Sequence, residues 1–421
     1  MLTAVVGINW GDEGKGRMVD LLSADYDIVC RYQGGNNAGH TVINDHGKIV
    51  LNLLPSGISR EGTVNVMGNG MVIDLEHLVH EIQSLRDKGI HIGPDNLKIS
   101  DKAVICLPWH KMQDIMEEDR LKDKKFGSTR RGIGPVYADK YMKKAIRMGD
   151  LFAPDKLPEK VADLTEWKNL TVRGYGHEPV KAEDILAWLH EFGDPIKPYI
   201  TDVSDYLYDA ATAGENIMFE AQLGALRDIE FGIYHYTSSS CTLAGYATIG
   251  AGIPGLKLDK TIGIMKAYSS CVGEGPFTVE MFGDEAEALR RAGGEYGAAT
   301  GRPRRVGAFD IPASRYGVRM HGADCIALTK MDVLSYMDKI PVCVAYDING
   351  EITEKFPVGE RLNAAKPVFE YMEGFGDISG CRKPEDLPKA AMDYIRYLEA
   401  AVGCKIKYVS VGAGRDEYVE L

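Results

Sequence analysis

The chain has 421 residues, 45% of them hydrophobic, enough for a large core in one elaborate domain or two. Its formal net charge of -12 argues against a general nucleic-acid binder, which presents a basic face. Eight cysteines are scattered with no CxxC pair and no histidine at zinc-finger spacing, as expected of buried free thiols in a reducing cytosol. No apolar stretch reaches the roughly 20 residues that span a bilayer. No basic segment precedes the first apolar run, so neither a membrane partner nor a secretory signal is expected, and the location is expected to be cytoplasmic.

"LTAVVGI" (2–8) is a short β-branched apolar run that breaks at glycine, which predicts a buried strand. "RMVDLLSA" follows with helical spacing. Strand, glycine turn and helix together open an α/β nucleotide fold. "DIVCRYQ" (27–33) predicts a second strand, and "TVNVMGNGMVI" (63–73) a third with a turn in it. "DLEHLVHEIQSLRDKG" (74–89) carries apolar residues at 75, 78, 79, 82 and 85 and stops at Gly89, the pattern of a helix. Helix signals dominate 108–215, where one stretch reads as two helices parted at Gly193–Pro195. Strand-like runs return at 215–221, 260–270, 322–334, 340–348 and 404–414. Strands spread from end to end predict one α/β unit, 1–421, around a large central, mostly parallel sheet flanked by helices. The helical region near 108–215 is read as an insertion into this P-loop-like nucleotide-binding fold.

The turn after the first strand, "GINWGDEGKGRMVDLL" (7–22), is half of a phosphate loop. Aligned on Gly14 and Lys15, the GxxxxGK[ST] pattern meets Asn9 at its first glycine and Gly16 at its hydroxyl position. Successive backbone N–H groups at a helix N-terminus still form an anion nest, and Lys15 adds a point charge. Asp12 and Glu13 would repel a polyphosphate. An acid there is explained by a magnesium ion, which needs oxygen ligands beside phosphate, or by proton transfer to or from a substrate. Both readings stand for Asp12. In "RYQGGNNAGHTV" (31–42), His40 lies in a tight polar loop at the end of the second predicted strand. Strand ends along one edge of an α/β sheet converge on ligands, so His40 is an acid/base candidate.

"GDEGKG" and "RYQGGNNAGHT" closely resemble the two leading motifs of the adenylosuccinate synthetase family. The resemblance continues in order through "LLPSGI", "GNG", "RRGIGPVYADK", "GDLF", "MKAYSSCVGEGPF", "GAATGRPRRVG" and "LTKMDVL". It implies a ligase that moves the γ-phosphoryl group of GTP to O6 of IMP. The amino group of L-aspartate then displaces it, giving adenylosuccinate, GDP and phosphate, the first committed step of AMP synthesis. By the same resemblance, Asp12 matches the base that removes the N1 proton of IMP and also a magnesium ligand. Gly39 matches a second magnesium ligand through its carbonyl, His40 the acid near the transferring phosphoryl group, and Lys15 a contact to that phosphate.

The GTP site implied by the family comprises Gly11, Asp12, Glu13, Gly14, Lys15, Gly16, Gly39, His40, Thr41, Arg304, Lys330, Asp332, Ser410 and Gly412. A carboxylate at Asp332 suits guanine, whose N1–H and N2–H₂ edge donates two hydrogen bonds. Ala298, Ala299, Thr300, Gly301, Arg302 and Arg304 match the aspartate loop, where arginine forks suit a dicarboxylate. Beside Asp12, Lys15 and His40, the IMP site draws on Asn37, Thr129, Lys143, Gln222, Arg302 and Thr237, with Ser238 as an alternative hydroxyl. Lys143 stands where the family generally has an arginine that reaches into the other subunit's site, so a homodimer is implied.

Departures from the family cluster at the IMP site. Arg130 replaces a usual glycine, Cys271 a common arginine and Asn36 a common histidine. Gln222 sits one place early, with Leu223 in its slot. A ligase of the same fold acting on another purine monophosphate, such as dGMP, is therefore the alternative. A GTP-binding switch without chemistry is a third reading, which Asp12, His40, Arg302 and Arg304 oppose.

Overall fold

The structure, a computed structural model, describes residues 1–44, 47–296, 301 and 303–421. Ten strands form the central sheet: β1 (Leu2–Gly7), β2 (Ile28–Arg31), β3 (Val64–Met67), β4 (Leu97–Ser100), β5 (Ile200–Thr201), β6 (Ile217–Glu220), β7 (Lys260–Lys266), β8 (Cys325–Thr329), β9 (Ile406–Ser410) and β10 (Tyr418–Glu420). Their order across the sheet is β10-β9-β8-β7-β1-β6-β2-β3-β4-β5. Every neighbouring pair is parallel except β9 and β10. Strands β1, β2, β6 and β8 are buried along their whole length, the burial that a parallel sheet covered on both faces imposes.

The glycine turn leads into α1 (Lys15–Leu22), capped by Gly14 in the left-handed conformation at φ 92°. The predicted helix at 74–89 is α2 (Leu75–Arg86). The Asp74 carboxylate caps it by accepting from His77 N at 3.3 Å. Between β4 and β6 come α3 (Pro108–Leu121), α4 (Ile133–Tyr141), α5 (Leu157–Gly174), α6 (Ala182–Gly193) and α7 (Val203–Thr212). The break predicted at Gly193–Pro195 holds: α6 ends at Gly193, and a 3₁₀ segment, Asp194–Tyr199, leads into the short strand β5.

Two sequence expectations are corrected. The run at 340–348 forms a strand, Lys339–Ile348, but outside the central sheet. It pairs instead with Phe309–Asp310, Glu351–Thr353 and Ala365–Glu373 in a smaller sheet. Lys339 is exposed and Pro341, Val344 and Asp347 are half-buried, whereas β8 is buried throughout. The run at 322–334 is likewise a strand only to Thr329; Met331–Tyr336 is a 3₁₀ turn.

The parallel order decides where chemistry can sit. The loops leaving β1, β2, β6, β7, β8 and β9 all emerge at the carboxyl edge of the sheet. Apart from the loop before α4, they hold most of the residues singled out above. No helix of the described residues is long and apolar enough to cross a membrane.

Candidate active site

The two acids of the glycine turn point in different directions. Glu13 folds inward and is buried. Its Oε1 accepts from the N–H groups of Asn9 (3.1 Å) and Gly11 (2.7 Å), and its Oε2 pairs with Lys15 Nζ at 2.7 Å. Glu13 thus orders the nest from within, by meeting donors that the turn would otherwise strand. Gly7 makes the space: a Cβ there would lie 2.4 Å from Glu13 Oε2, 2.7 Å from Lys15 Nζ and 2.3 Å from the Leu223 carbonyl. Asp12, at φ 62°, turns outward and pairs with Arg304 Nη2 at 2.8 Å. The paradox of acids in a phosphate loop resolves into one acid that builds the loop and one that faces the site.

His40 opens the hairpin His40–Asn44/Gly47–Leu51. It comes close to α1 because residue 16 is glycine; a Cβ on Gly16 would sit 2.7 Å from the His40 Cβ. His40 Nδ1 lies 2.6 Å from Glu220 Oε1 at the end of β6. Glu220 is fully buried and also accepts from Ser56 N (2.8 Å) and Ser56 Oγ (2.5 Å). Burial pushes the Glu220 carboxyl up, but His40, Arg31 and Ser56 together hold it below the usual carboxylate range. Burial lowers His40 below the ordinary histidine value, against the pull of Glu220. An ionised Glu220 assigns the Nδ1 proton to the shared hydrogen bond, so proton exchange at His40 falls to Nε2. Glu220 and Ser56 escaped the sequence reading. The only signal was a carboxylate closing the apolar strand "IMFE".

Of the predicted purine contacts, Gln222 and Asn37 form one network with Arg31 and Gly35. Gln222 is buried. Its Oε1 accepts from Arg31 Nη2 (2.7 Å) and Gly35 N (3.1 Å), and its Nε2 donates to Asn37 Oδ1 (2.5 Å). The amide is therefore spent inside the protein and holds Asn37. Leu223, in the slot the family gives to glutamine, sits at φ 63°. Arg130 also takes a positive φ, 57°, as the usual glycine there would do readily. Thr129 is exposed and Thr237 half-buried; Lys143 is exposed beyond the end of α4, at φ 63°. Tyr137 of α4 accepts from Gly34 N (2.9 Å) and donates to the Gly70 carbonyl (2.7 Å), tying that helix to the loop after β2.

At the base end, Thr329 Oγ1 donates to the Glu13 carbonyl at 2.6 Å, joining the end of β8 to the phosphate loop. Lys330, at φ 56°, starts the turn that carries Asp332. Asp332 Oδ1 is buried, and no hydrogen-bond partner is found for it among the described residues. Burial raises that carboxyl, against the nearby positive charges of Arg17 and Lys330. Arg17 of α1 donates to Ser410 Oγ and to the carbonyls of Gly414 (2.6 Å) and Glu417 (3.0 Å), and Ser410 Oγ donates to the Gly412 carbonyl at 3.0 Å. The loop after β9 is thereby pinned to the phosphate helix.

Of the predicted aspartate loop, Gly301 (φ 63°) and Arg304 are described; Ala298, Ala299, Thr300 and Arg302 lie outside the described residues. Among the described residues no three His, Cys, Asp or Glu side chains gather as a metal cluster. A magnesium ion at Asp12 and the Gly39 carbonyl would draw its remaining oxygens from phosphates and water, the usual habit of that ion. The donor chemistry fits. Asp12 offers a partly exposed carboxylate beside the nest, and the space around the Gly39 Cα is open. In an acidic chain, this sheet edge gathers Lys15, Arg17, Lys266, Arg304 and Lys330, of which Lys15 pairs with Glu13, Lys266 and Lys330 with Glu295, and Arg304 with Asp12 and Glu295.

A half-Walker anion nest, a histidine–carboxylate pair and a carboxylate, Asp332, with Oδ1 unpartnered among the described residues, all on one edge of a parallel sheet, define a nucleotide-dependent enzyme of the α/β class. Comparison with known proteins narrows the class. The adenylosuccinate synthetase family model matches residues 4–419, and the chain belongs to that family. Adenylosuccinate synthetase of Caldanaerobacter subterraneus is 44% identical over 423 residues, covering 100% of this chain and 99% of that one. The Streptococcus gordonii enzyme is 42% identical over 416 residues, covering 98% and 96%. A fully ligated Plasmodium falciparum adenylosuccinate synthetase superposes with a TM-score of 0.92 at 35% identity, covering 100% and 99%. A cyanophage S-2L succinoaminodeoxyadenylate synthetase bound to dGMP and dATP covers 100% of this chain and 95% of its own. It shares only the fold, at a TM-score of 0.61 and 18% identity.

Proposed function

We propose that the chain ligates L-aspartate to IMP at the expense of GTP, through a 6-phosphoryl-IMP intermediate. The observation that carries the reading is the pair of groups at the phosphate nest: an outward carboxylate, Asp12, and a histidine, His40, held by a buried carboxylate. Asp12 takes the N1 proton of IMP, and the electron pair moves to O6. O6 attacks the γ-phosphorus of GTP and GDP leaves. The negative charge of the bound phosphates favours the imidazolium form, so a doubly protonated His40, its Nδ1–H on Glu220, donates from Nε2 to the developing charge, while Lys15 and the nest N–H groups neutralise the phosphates. The aspartate amino group then attacks C6 and phosphate departs, giving adenylosuccinate.

When bound, magnesium would supply charge neutralisation at the phosphates, with Asp12 and the Gly39 carbonyl as its protein ligands. Arg304 contends with the ion for the Asp12 oxygen. Lys330, Asp332, Ser410 and Gly412 read the guanine, and Gly301 with Arg304 lies on the aspartate side. Thr129 and Thr237 meet IMP, and Gln222 acts through Asn37. Lys143 completes the site of a second copy in a cytoplasmic homodimer. The whole chain works as one ligase unit with the helices near 108–215 inserted.

IMP is favoured over dGMP as the acceptor. The relatives matched along the whole chain at 42–44% identity are adenylosuccinate synthetases, whereas the dGMP-binding phage enzyme shares only the fold. Purified protein given GTP, magnesium and aspartate should form product with IMP and none with dGMP. Turnover of dGMP alone would refute the assignment.

A further inference from the structure

We propose that Glu295 is a positioning residue that couples the guanine-reading turn to the reacting carboxylate Asp12, by holding Lys330 and Arg304 at the same time. The inference rests on the reading of the site given above. Glu295 follows the helix Gly283–Gly293 and is fully buried. Its Oε1 accepts from Lys266 Nζ (2.8 Å), Lys330 Nζ (3.0 Å) and Tyr268 Oη (2.5 Å), and its Oε2 pairs with Arg304 Nη1 at 2.9 Å.

The two oxygens serve opposite ends of the site. Through Oε2 the chain of contacts continues from Arg304 Nη2 to Asp12 Oδ2 at 2.8 Å. Through Oε1 it continues to Lys330, whose left-handed backbone starts the turn bearing Asp332. The backbone tightens both arms: Arg304 N donates to the Glu295 carbonyl at 2.9 Å, and Lys330 Nζ also donates to the Gly293 carbonyl at 2.6 Å. A shift of Lys330 on binding a base is thereby transmitted to the arginine that holds Asp12.

Folding alone does not call for this arrangement. A buried carboxylate among three cations carries a large desolvation cost, and an apolar filling of the same volume is often as stable or more so. Burial pushes the Glu295 carboxyl up, but Lys266 and Lys330 override it and hold the group far below the usual carboxylate range. It stays ionised at working pH. Lys266, which also donates to Ser270 Oγ at 2.6 Å, supplies a third positive charge beside the anion that Lys330 and Arg304 share.

The test uses two variants. E295D keeps the charge but is one methylene too short to reach Arg304 and Lys330 together. E295Q/K266M removes one anion with one cation, so the buried site stays balanced while the grip is lost. GDP affinity is measured by calorimetry, and kcat and KM by steady-state assay. Each folded variant should lose about tenfold or more in both GDP affinity and kcat, while KM for IMP changes by less than about threefold. Wild-type GDP affinity and kcat in either folded variant would overturn the proposal. So would loss of one quantity without the other, or an equal loss in KM for IMP, which marks general damage. Unfolding of both would assign Glu295 a purely structural role and overturn it too. Failure of the wild-type protein to ligate IMP and aspartate would instead refute the function itself.

Discussion

Arg304 Nη2 lies 2.8 Å from Asp12 Oδ2, so the carboxylate at the mouth of the phosphate nest is tied to the segment that leads out of the predicted aspartate loop. The residue proposed as base and metal ligand and the arginine proposed for the aspartate side thus share one contact. Both side chains are partly exposed, and an ion pair of that kind contributes little to stability.

Replacing Asp12 with asparagine keeps the shape and removes the base. We expect kcat to fall by about 10²- to 10⁴-fold, with GTP affinity within about threefold of the original. Product formation followed by absorbance and nucleotide binding by calorimetry separate the two effects. Unaltered turnover would remove Asp12 from the base position.

Asp332→Asn bears on base recognition. On the proposed reading, the buried Oδ1 of Asp332, unpartnered among the described residues, accepts from guanine. An asparagine loses one of two acceptors and presents a donor instead. KM for GTP should rise about 10- to 100-fold while KM for IMP stays level. ITP lacks the N2 amino group, so the preference for GTP over ITP should shrink. A preserved preference would place guanine recognition elsewhere.

Lys143 is exposed just beyond α4 and tests the shared site. Lys143→Leu and Asp12→Asn chains are each expected to be inactive. Randomly mixed dimers are half hybrid, and each hybrid holds one intact site, so about a quarter of the wild-type activity should return. Hybrid dimers without recovered activity would show that each subunit completes its own site.

His321 offers a pH prediction. Its Nε2 donates to the Gly7 carbonyl at 2.9 Å, and its Nδ1 accepts from Ala244 N at 3.1 Å. Burial lowers it to about 4. The folded chain then resists a proton that the unfolded chain takes up near 6.5. This group's contribution is intact above that value and is lost as pH falls toward 4. Between pH 7 and pH 5 the loss amounts to about 2 kcal/mol. Asp310 works in the opposite sense: burial raises it to about 6, so its contribution fades as pH rises through the interval. Comparison with His321→Gln isolates the histidine. In urea titrations the stability gap between wild type and variant should be about 2 kcal/mol larger at pH 7 than at pH 5. An equal gap would mean that His321 is not held neutral.

Much of the architecture was legible from local pattern. β1, β2, β6, β7 and β9 fall within the predicted runs, and α2 begins at the acid that caps it. Periodicity and glycine stops report on neighbours a few residues away, and these elements depend on little else. The strand Lys339–Ile348 was recognised as a strand but misplaced, because an apolar run does not say which sheet will pair with it. Asp12, Lys15 and His40 were also singled out in advance as candidates, since close glycine spacing and ordered motifs are written along the chain.

Glu220 and Glu295 were not. Each is a carboxylate whose partners arrive from far away in sequence: His40 is 180 residues from Glu220, and Lys330 is 35 residues from Glu295. The opposite fates of Asp12 and Glu13 were equally hidden, as was the internal use of the Gln222 amide. The order of amino acids determined the elements, the phosphate turn and the family. Only the tertiary structure decided which charges meet, because an ion pair or hydrogen bond depends on ångström distances between strands brought side by side.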